Sequence, residues 1–541
     1  MSTTTASTSG SPTDHPAAAA VTGRGMTMSD IVARFSRTDP HGVAFRDGDA
    51  TSTWLDFHDR VTRIANALVQ RGVAAGDRVA VLGLNSVPLV EATAAVLRAG
   101  GICVPLNFRL VADEVAYQLV DSGAVAVVVD AVLAPVVAGA LRDPDVPTRT
   151  VLVMNGGSEH GEGLEAAMAA ASPDYVELDV NDYQPAFIMY TSGTTGRPKG
   201  AVLSHRNLLL HSYSNLVHLG VNNSDRVGLS GAPFFHIAGV AGLYLNLVGG
   251  GTTVLSPSGG FDPAGMVDLL EREGVTSCFF VPAQWQAIVS VPGIRERRLA
   301  LRRLSWGAAP ASTTLLRTII ETFPDAELAT AFGQTECSPV TCVLRGEDAI
   351  RKIGSVGTPM LNVEVRVVDD EMNDVPRGEV GEIVYRGPLV MSGYWNKPAE
   401  TAEAFRGGWF HSGDLVRQDA DGYFYVVDRK KDMIISGGEN IYCAEVENVL
   451  AGHPKIGEVA LIGVPDPKWG EAPLAVIAPR DPADPPTVAE IESWCRDRLA
   501  AYKRPRDVTL VDTLPRNPSG KVLKTALRSE YGAACPGDPA V

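Results

Sequence analysis

The stretch MYTSGTTGRPKGAVLSH (residues 189–205) interrupts an apolar run with hydroxyl groups, glycines, one proline and two cations. A packed core gains nothing from such a segment, but a polyphosphate can be held by it. Glycines let backbone N–H groups turn toward an anion, hydroxyls add donors, and Lys199 supplies a mobile point charge. The preceding FIMY (187–190) is strand-like, and a helix capped by Ser204 is expected to follow. The sequence therefore predicts a phosphate-binding loop built from Thr191, Ser192, Gly193, Thr194, Thr195 and Gly196.

Composition and charge exclude several classes of protein. The chain has 541 residues, which suggests two or more domains. Its 47 Lys and Arg against 63 Asp and Glu give a net charge of −16, which argues against a nucleic-acid partner. Seven cysteines without a C-x-x-C pair argue against a disulfide framework or a zinc site, and fit a reducing cytoplasm. No apolar stretch approaches the roughly 18 residues that a transmembrane helix needs.

The order of apolar and polar segments predicts two folded domains. Between residues 26 and 430, strand-like runs such as RVAVLGL and AVAVVVD alternate with amphipathic helices, which is typical of largely parallel α/β sheets. From about residue 355 the runs are β-rich without long helices, which predicts an antiparallel β subdomain. A smaller α+β domain is expected over 431–532, with the boundary in DRKKDMI (428–434). We expect disordered tails at 1–25 and 533–541.

The string YTSGTTGRPKG does not fit the Walker A pattern G-x-x-x-x-G-K-[ST]. Its lysine, Lys199, lies three residues after Gly196 and is followed by Gly200. The string resembles the signature of the adenylate-forming superfamily of acyl-CoA synthetases, peptide-synthetase adenylation domains and firefly-type luciferases, and most closely that of bacterial fatty-acyl-CoA synthetases. Four blocks typical of this family follow in order between residues 305 and 524: SWGAAPAS, AFGQTECS, GWFHSGDLVRQDADGYFYVVDRKKDMI and LPRNPSGKVLK. The resemblance implies a luciferase-like α/β fold with a small mobile C-terminal domain, and the use of ATP, Mg²⁺ and coenzyme A.

The resemblance also implies a nucleotide site. Thr335 would contact the AMP phosphate, and Glu336 with Thr191 would hold Mg²⁺, which prefers hard oxygen ligands. Asp414 would accept both ribose hydroxyls, since a carboxylate has four acceptor sites, and Arg429 would assist it. The adenine side would be formed by Ala308 and Ala309, and Ala331, Phe332 and Gly333 would also contact the nucleotide.

Four further residues would serve the two steps of the reaction. Lys521, with Lys199, would balance charge while the mixed anhydride forms, which is an electrostatic role. Lys431 would be the hinge about which the small domain rotates between the two steps. Gly437 and Gly438, which carry no Cβ, would let the pantetheine arm of coenzyme A pass close to the backbone.

The acid is the least defined part of the prediction. PFFHIAG (233–239) resembles the segment that lines the acyl pocket, with His236 as its wall or gate, and Ala238 and Trp306 as further walls. The sequence shows no cation suited to a second carboxylate, so an apolar acid is expected. We expect a fatty acid as the substrate. The alternative is an aromatic acid of the coumarate, cinnamate or benzoate type.

Two different kinds of protein are also compatible with the sequence: an acyl-AMP ligase that loads a carrier protein, and a nucleotide-binding regulatory protein without catalysis. The sequence is compatible with weak peripheral contact with a membrane. It is also compatible with either a monomer or a homodimer.

Overall fold

The first of two large sheets carries the phosphate loop. The computed structural model describes residues 25–532 apart from 158, 176–179, 192–196, 222–225, 257, 308–310, 347 and 517–521. In spatial order the strands of this eight-stranded sheet are Gly393–Tyr394, Lys199–Ser204, Pro185–Thr191, Ile102–Leu106, Arg78–Leu82, Ala124–Asp130, Thr150–Met154 and Glu162–Gly163. From the third strand onward the pairing is parallel, as predicted, and the first two strands are added antiparallel.

The second large sheet has nine strands. In spatial order they are Thr358–Pro359, Val340–Arg345, Glu327–Gly333, Arg303–Gly307, Ser277–Phe280, Val227–Ser230, Thr252–Val254, Val43–Asp47 and Ala50–Thr53. Its middle is parallel and its two edges are antiparallel. The carboxyl ends of parallel strands meet at one edge of such a sheet, where side chains from distant parts of the chain can form a site.

Two smaller sheets complete the architecture. The four-stranded sheet is antiparallel, as expected for the β subdomain, in the order Glu364–Val368, Val380–Arg386, Phe410–Gln418 and Phe424–Arg429. The C-terminal sheet contains Glu439–Ile441, Ile434–Ser436, Gly470–Pro479 and Ile456–Asp466, and Asp507–Leu510 pairs with its third strand. The mixed α/β class with an added β sheet and a small C-terminal α+β unit is confirmed.

Helices cover the faces of these sheets. Among the described residues the α-helices are Met28–Thr38, Trp54–Gln70, Val87–Arg98, Ala112–Ser122, Ala134–Ala140, Leu164–Ala169, His205–His218, Ile237–Val248, Pro263–Arg272, Pro282–Val289, Thr313–Thr322, Asp348–Arg351, Pro398–Ala404, Cys443–Ala451, Val488–Arg496 and Lys524–Tyr531. None of these helices meets the length and apolarity required to span a bilayer. The six cysteines of the described part are all free.

The phosphate loop joins two strands rather than a strand and a helix. Thr191 pairs directly with Lys199 where the hairpin begins, so the apolar run that resumes after the loop is a strand. The expected helix starts only after it. Ser204 caps this helix as predicted, because its Oγ accepts from the Asn207 N–H at 3.1 Å while Asn207 Oδ1 accepts from the Ser204 N–H at 2.8 Å. A cap of this kind stabilises a helix by about 1 kcal/mol.

An aromatic cluster fixes the strand that carries Trp306. Phe280 and Trp285 pack edge to face with ring centroids 5.2 Å apart, and both are buried. Trp285 Nε1 also donates to the Ser305 carbonyl at 3.0 Å, so the indole is satisfied on its polar side. Buried aromatic side chains contribute large apolar area at low entropy cost, and this packing holds the end of Arg303–Gly307 in place.

Gly357 couples the nine-stranded sheet to the four-stranded sheet, because its carbonyl accepts from the Phe424 N–H at 2.9 Å. Its φ of +91° disfavours any residue with a side chain, and an added Cβ would lie 1.9 Å from the Val343 carbonyl oxygen. Gly354 has nearly the same φ, +89°, with nothing within 4 Å of its added Cβ. The two glycines therefore have nearly the same φ, but only Gly357 lies too close to neighbouring backbone to accept a Cβ.

We predict that Gly357→Ala costs about 3 kcal/mol or more, because the Val343 backbone must move, whereas Gly354→Ala costs about 1 kcal/mol from backbone strain alone. The midpoint of thermal unfolding of the two purified variants checks this. Equal midpoints would show that the close approach of Gly357 to Val343 does not constrain the fold.

Candidate active site

One large cavity collects most of the predicted site residues. Its volume is about 2160 Å³, and its walls come from both large sheets, the four-stranded sheet and the C-terminal segment. Thirteen residues predicted from the sequence line it: Thr191, Lys199, His236, Ala238, Trp306, Ala331, Phe332, Gly333, Thr335, Glu336, Asp414, Arg429 and Lys431. Eight others lie outside the described residues: Ser192, Gly193, Thr194, Thr195, Gly196, Ala308, Ala309 and Lys521. Chain segments more than 200 residues apart thus share one cavity.

Glu336 is held with its carboxylate at the cavity wall. The residue is 7% exposed and lies in a short 3₁₀ turn, Thr335–Cys337, between two strands of the nine-stranded sheet. Tyr394 Oη donates to Glu336 Oε1 at 2.9 Å, and Thr191 Oγ1 lies 3.5 Å from the same oxygen. Burial, and then the neighbouring Glu336 carboxylate, raise the pKa of Tyr394, so the phenol stays a donor. Tyr394 and Thr191 thus orient the Glu336 carboxylate at the cavity wall.

Lys199 stands beside this carboxylate. Its Nζ lies 5.5 Å from the centroid of the Tyr394 ring, a cation–π distance. Tyr394 thus contacts both the predicted metal ligand and the predicted phosphate-binding lysine. No motif in the sequence pointed to Tyr394, because the strand Gly393–Tyr394 reaches the site only by pairing with Lys199–Ser204.

The helix Ala112–Ser122 contacts residues at both ends of the phosphate loop. Tyr117 Oη donates to the Pro198 carbonyl at 3.0 Å, and the Arg197 guanidinium lies over the Tyr117 ring at 5.0 Å. On the same helix, Asp121 accepts from Tyr190 Oη at 2.8 Å and from Lys397 Nζ at 2.9 Å. Both ends of the loop are therefore anchored to one rigid element.

Asp414 and Arg429 form an ion pair at the cavity wall. They are direct partners across the strands Phe410–Gln418 and Phe424–Arg429, and Arg429 Nε lies 2.6 Å from Asp414 Oδ1. Asp414 is 7% exposed, and its backbone N–H donates to Ser412 Oγ at 3.0 Å. A cation paired with a buried carboxylate favours its ionised form, which is the form that accepts hydroxyl hydrogen bonds.

The predicted acyl-pocket residues lie together on another part of the wall. His236 caps the helix Ile237–Val248, and its Nδ1 accepts from the Ala238 N–H at 3.2 Å. Trp306 is the next-to-last residue of the strand Arg303–Gly307. Small and apolar residues continue this wall along the same helix: Ala241, Gly242 and Leu245. The region is broad, apolar and suited to the body of a carboxylic acid.

Two polar residues interrupt the apolar wall, and no pattern in the sequence indicated that they would lie in the cavity. His211 and Asn215 both line it and are both buried. They lie one turn apart on the helix His205–His218, with Asn215 Nδ2 3.0 Å from His211 Nε2.

The two glycines expected to contact coenzyme A are not among the described lining residues of the cavity. Gly437 and Gly438 form the turn between Ile434–Ser436 and Glu439–Ile441, with φ of +61° and +85°. An added Cβ on Gly437 would meet the Trp469 ring at 2.6 Å. By contrast, residues 522–525, directly after Lys521, do line the cavity.

Comparison with known proteins fits this geometry. Residues 32–395 match the family model of AMP-binding enzymes, and residues 445–521 match that of the AMP-binding enzyme C-terminal domain. A feruloyl-CoA synthase from Amycolatopsis sp. is 42% identical, with 92% of this chain and 98% of the relative covered. The long-chain-fatty-acid–CoA ligase FadD13 of Mycobacterium tuberculosis is 38% identical over 90% of this chain and 95% of the relative.

A solved structure supports the same assignment. The o-succinylbenzoate CoA synthetase of Bacillus subtilis, in complex with its acyl-adenylate intermediate, is similar with a TM-score of 0.83 and 30% identity. The match covers 92% of this chain and 97% of that one. The expectation of an adenylate-forming enzyme is thereby confirmed, and the chain belongs to the AMP-binding enzyme family.

Proposed function

We propose that this chain is a carboxylic acid–CoA ligase that converts an acid, ATP and coenzyme A into acyl-CoA, AMP and pyrophosphate through an acyl-AMP intermediate. The observation that carries the proposal is the convergence of Lys199, Glu336, Asp414 and Arg429 on one cavity with an apolar extension. These four side chains provide the charges and hydrogen-bond acceptors that an adenylyl group needs. The acyl-CoA and aryl-CoA ligases among its relatives support the same reaction.

In the first step the protein would position ATP and the acid rather than react covalently. Asp414 accepts the ribose hydroxyls, and its ion pair with Arg429 holds the carboxylate in position. Lys199, and Lys521 as the resemblance implies, offset negative charge as the acid's carboxylate attacks the α-phosphorus and pyrophosphate leaves. Phosphoryl transfer depends mainly on such positioning and charge neutralisation.

The residues present fit a magnesium ion between the ATP phosphates and Glu336. Mg²⁺ is normally held by one or two carboxylates together with substrate phosphates and water, so a single buried carboxylate suffices. When bound, the ion would neutralise charge on the phosphates. Glu336, with the Thr191 hydroxyl nearby, would hold it.

The second step requires coenzyme A to reach the acyl-AMP. Residues 522–525 face the cavity whereas Gly437 and Gly438 do not, which supports an arrangement for adenylation and a later rotation about Lys431 that exchanges the two faces. Lys431 lines the cavity with an exposed side chain, and partial removal of its ammonium group from water lowers its pKa. Domain motions of this kind often limit turnover.

For the acid, we place an aromatic acid first and a fatty acid second, the reverse of the order that the sequence alone suggested. The name of the 42%-identical relative supports the aromatic acid, and that of the 38%-identical relative supports the fatty acid. The polar pair His211 and Asn215 on the pocket wall also favours an oxygen-bearing acid, since an alkyl chain would leave His211 Nδ1 without a hydrogen-bond partner.

A thioester-forming assay across cinnamic, benzoic and short to long fatty acids tests this proposal. We expect acid-dependent AMP and pyrophosphate release, acyl-CoA as product, and a kcat/KM at least about tenfold higher for the best aromatic acid than for the best fatty acid. Sustained pyrophosphate release without coenzyme A would instead favour an acyl-AMP ligase that loads a carrier protein. A chain that forms no AMP with any acid would contradict the ligase proposal.

The bond from Tyr394 to Glu336 yields a second prediction. Tyr394→Phe keeps the ring near Lys199 but removes the hydroxyl that orients the carboxylate, so the affinity for the divalent cation should fall about tenfold. Manganese binding in the presence of ATP, followed by electron paramagnetic resonance, measures this directly. Tyr423→Phe is the matched control, because its phenol donates to the surface carboxylate of Asp348, away from the cavity. Equal cation affinity in Tyr394→Phe and wild-type protein would remove Tyr394 from the site.

A further inference from the structure

The side chain of His211 has one nitrogen satisfied and one without a partner. Its Nε2 accepts from the Val340 backbone N–H at 3.2 Å and lies 3.0 Å from Asn215 Nδ2. Its Nδ1 is buried and has no hydrogen-bond partner within the described structure. His211 itself is 2% exposed and lines the cavity. The unused nitrogen is thus a polar group that the protein alone does not satisfy.

The hydrogen bonds to Nε2 determine which nitrogen carries the proton. A backbone N–H can only donate, so Nε2 must accept, and in a neutral imidazole the proton then lies on Nδ1. Burial lowers the pKa of His211 to about 3, which keeps the ring neutral near pH 7. The unpartnered atom is therefore a fixed N–H donor with no acceptor.

His205 provides a contrast on the same helix. It is equally buried, at 1% exposed, and its Nδ1 accepts from the Met28 N–H at 3.2 Å. His205 is not among the described residues that line the cavity. Burial of a histidine on this helix therefore does not by itself leave a donor unsatisfied beside the apolar pocket.

We propose that His211 is a specificity-determining residue, whose Nδ1–H donates to an oxygen at the end of the acid remote from its carboxylate. The inference rests on the proposed acid–CoA ligase function and narrows its substrate to acids with a distal phenol, alkoxy or carbonyl oxygen. The pocket wall formed by Ala238, Ala241 and Leu245 surrounds the body of the acid with apolar groups, and His211 and Asn215 add polar groups to the same cavity. A site built to donate one hydrogen bond discriminates against an analogue that lacks the acceptor.

The pair 4-methoxycinnamate and 4-ethylcinnamate tests the donor role, because the two acids have nearly the same shape and only the first offers an acceptor. In wild-type protein we expect kcat/KM to favour 4-methoxycinnamate by about 10- to 100-fold. His211→Gln should reduce this ratio to near one, because its amide oxygen can still accept from the Val340 N–H while the donor at the Nδ1 position is lost. His211→Asn, which places an amide N–H near the Nδ1 position, should keep a clear preference.

His205→Gln is the control for a general effect of changing a buried histidine on this helix, and its ratio should match that of wild type. Calorimetric binding of the same two acids gives the preference without turnover, so it tests His211 even if no thioester forms. A wild-type ratio near one, or an unchanged ratio in His211→Gln, would overturn the role of His211. Absence of thioester from every acid, with the binding preference intact, would overturn the ligase proposal instead.

Discussion

The register between the strands Phe410–Gln418 and Phe424–Arg429 is the constraint on which the cavity depends. It sets Asp414 opposite Arg429 and lets their side chains meet at 2.6 Å. A slip of one residue in either strand would turn that strand's side chain, Asp414 or Arg429, to the other face of the sheet and separate the pair. Gly357 fixes this sheet against the nine-stranded sheet, which brings the ion pair to the same space as Glu336.

In the rest of the site, neighbouring side chains hold the charged groups of opposite sign in fixed positions. Tyr394 orients Glu336 and lies beside Lys199, while Tyr117 anchors the end of the phosphate loop. Such preorganisation matters because adenylation is accelerated by groups that already point at the developing charge. The apolar extension beyond Trp306 then needs only to hold the acid in line. Among the described wall residues, His211 Nδ1 is the one buried side-chain nitrogen or oxygen without a hydrogen-bond partner.

The features that could be predicted from the sequence are those that depend on residues close together in the chain. The cap at Ser204, the alternation of strands and helices, and the antiparallel β subdomain all follow from neighbouring residues. Tyr394 and His211 were missed because their importance depends on contacts with residues 58 and 129 positions away. Periodicity could place His211 on a buried helix face, but not the Val340 N–H that fixes its tautomer. The strand after the phosphate loop was missed because its apolar run is only three residues long, Ala201 to Leu203, which fits a strand or a helix start equally well.

The most direct measurement is a crystal structure with a non-hydrolysable acyl-sulfamoyl adenosine, which mimics the acyl-AMP. We expect both ribose hydroxyls of the bound analogue within about 3 Å of the Asp414 carboxylate. The sulfamate should lie near Thr191 and Lys199, and the acyl group against Trp306. An analogue bound outside this cavity, or with its ribose turned away from Asp414, would contradict this arrangement.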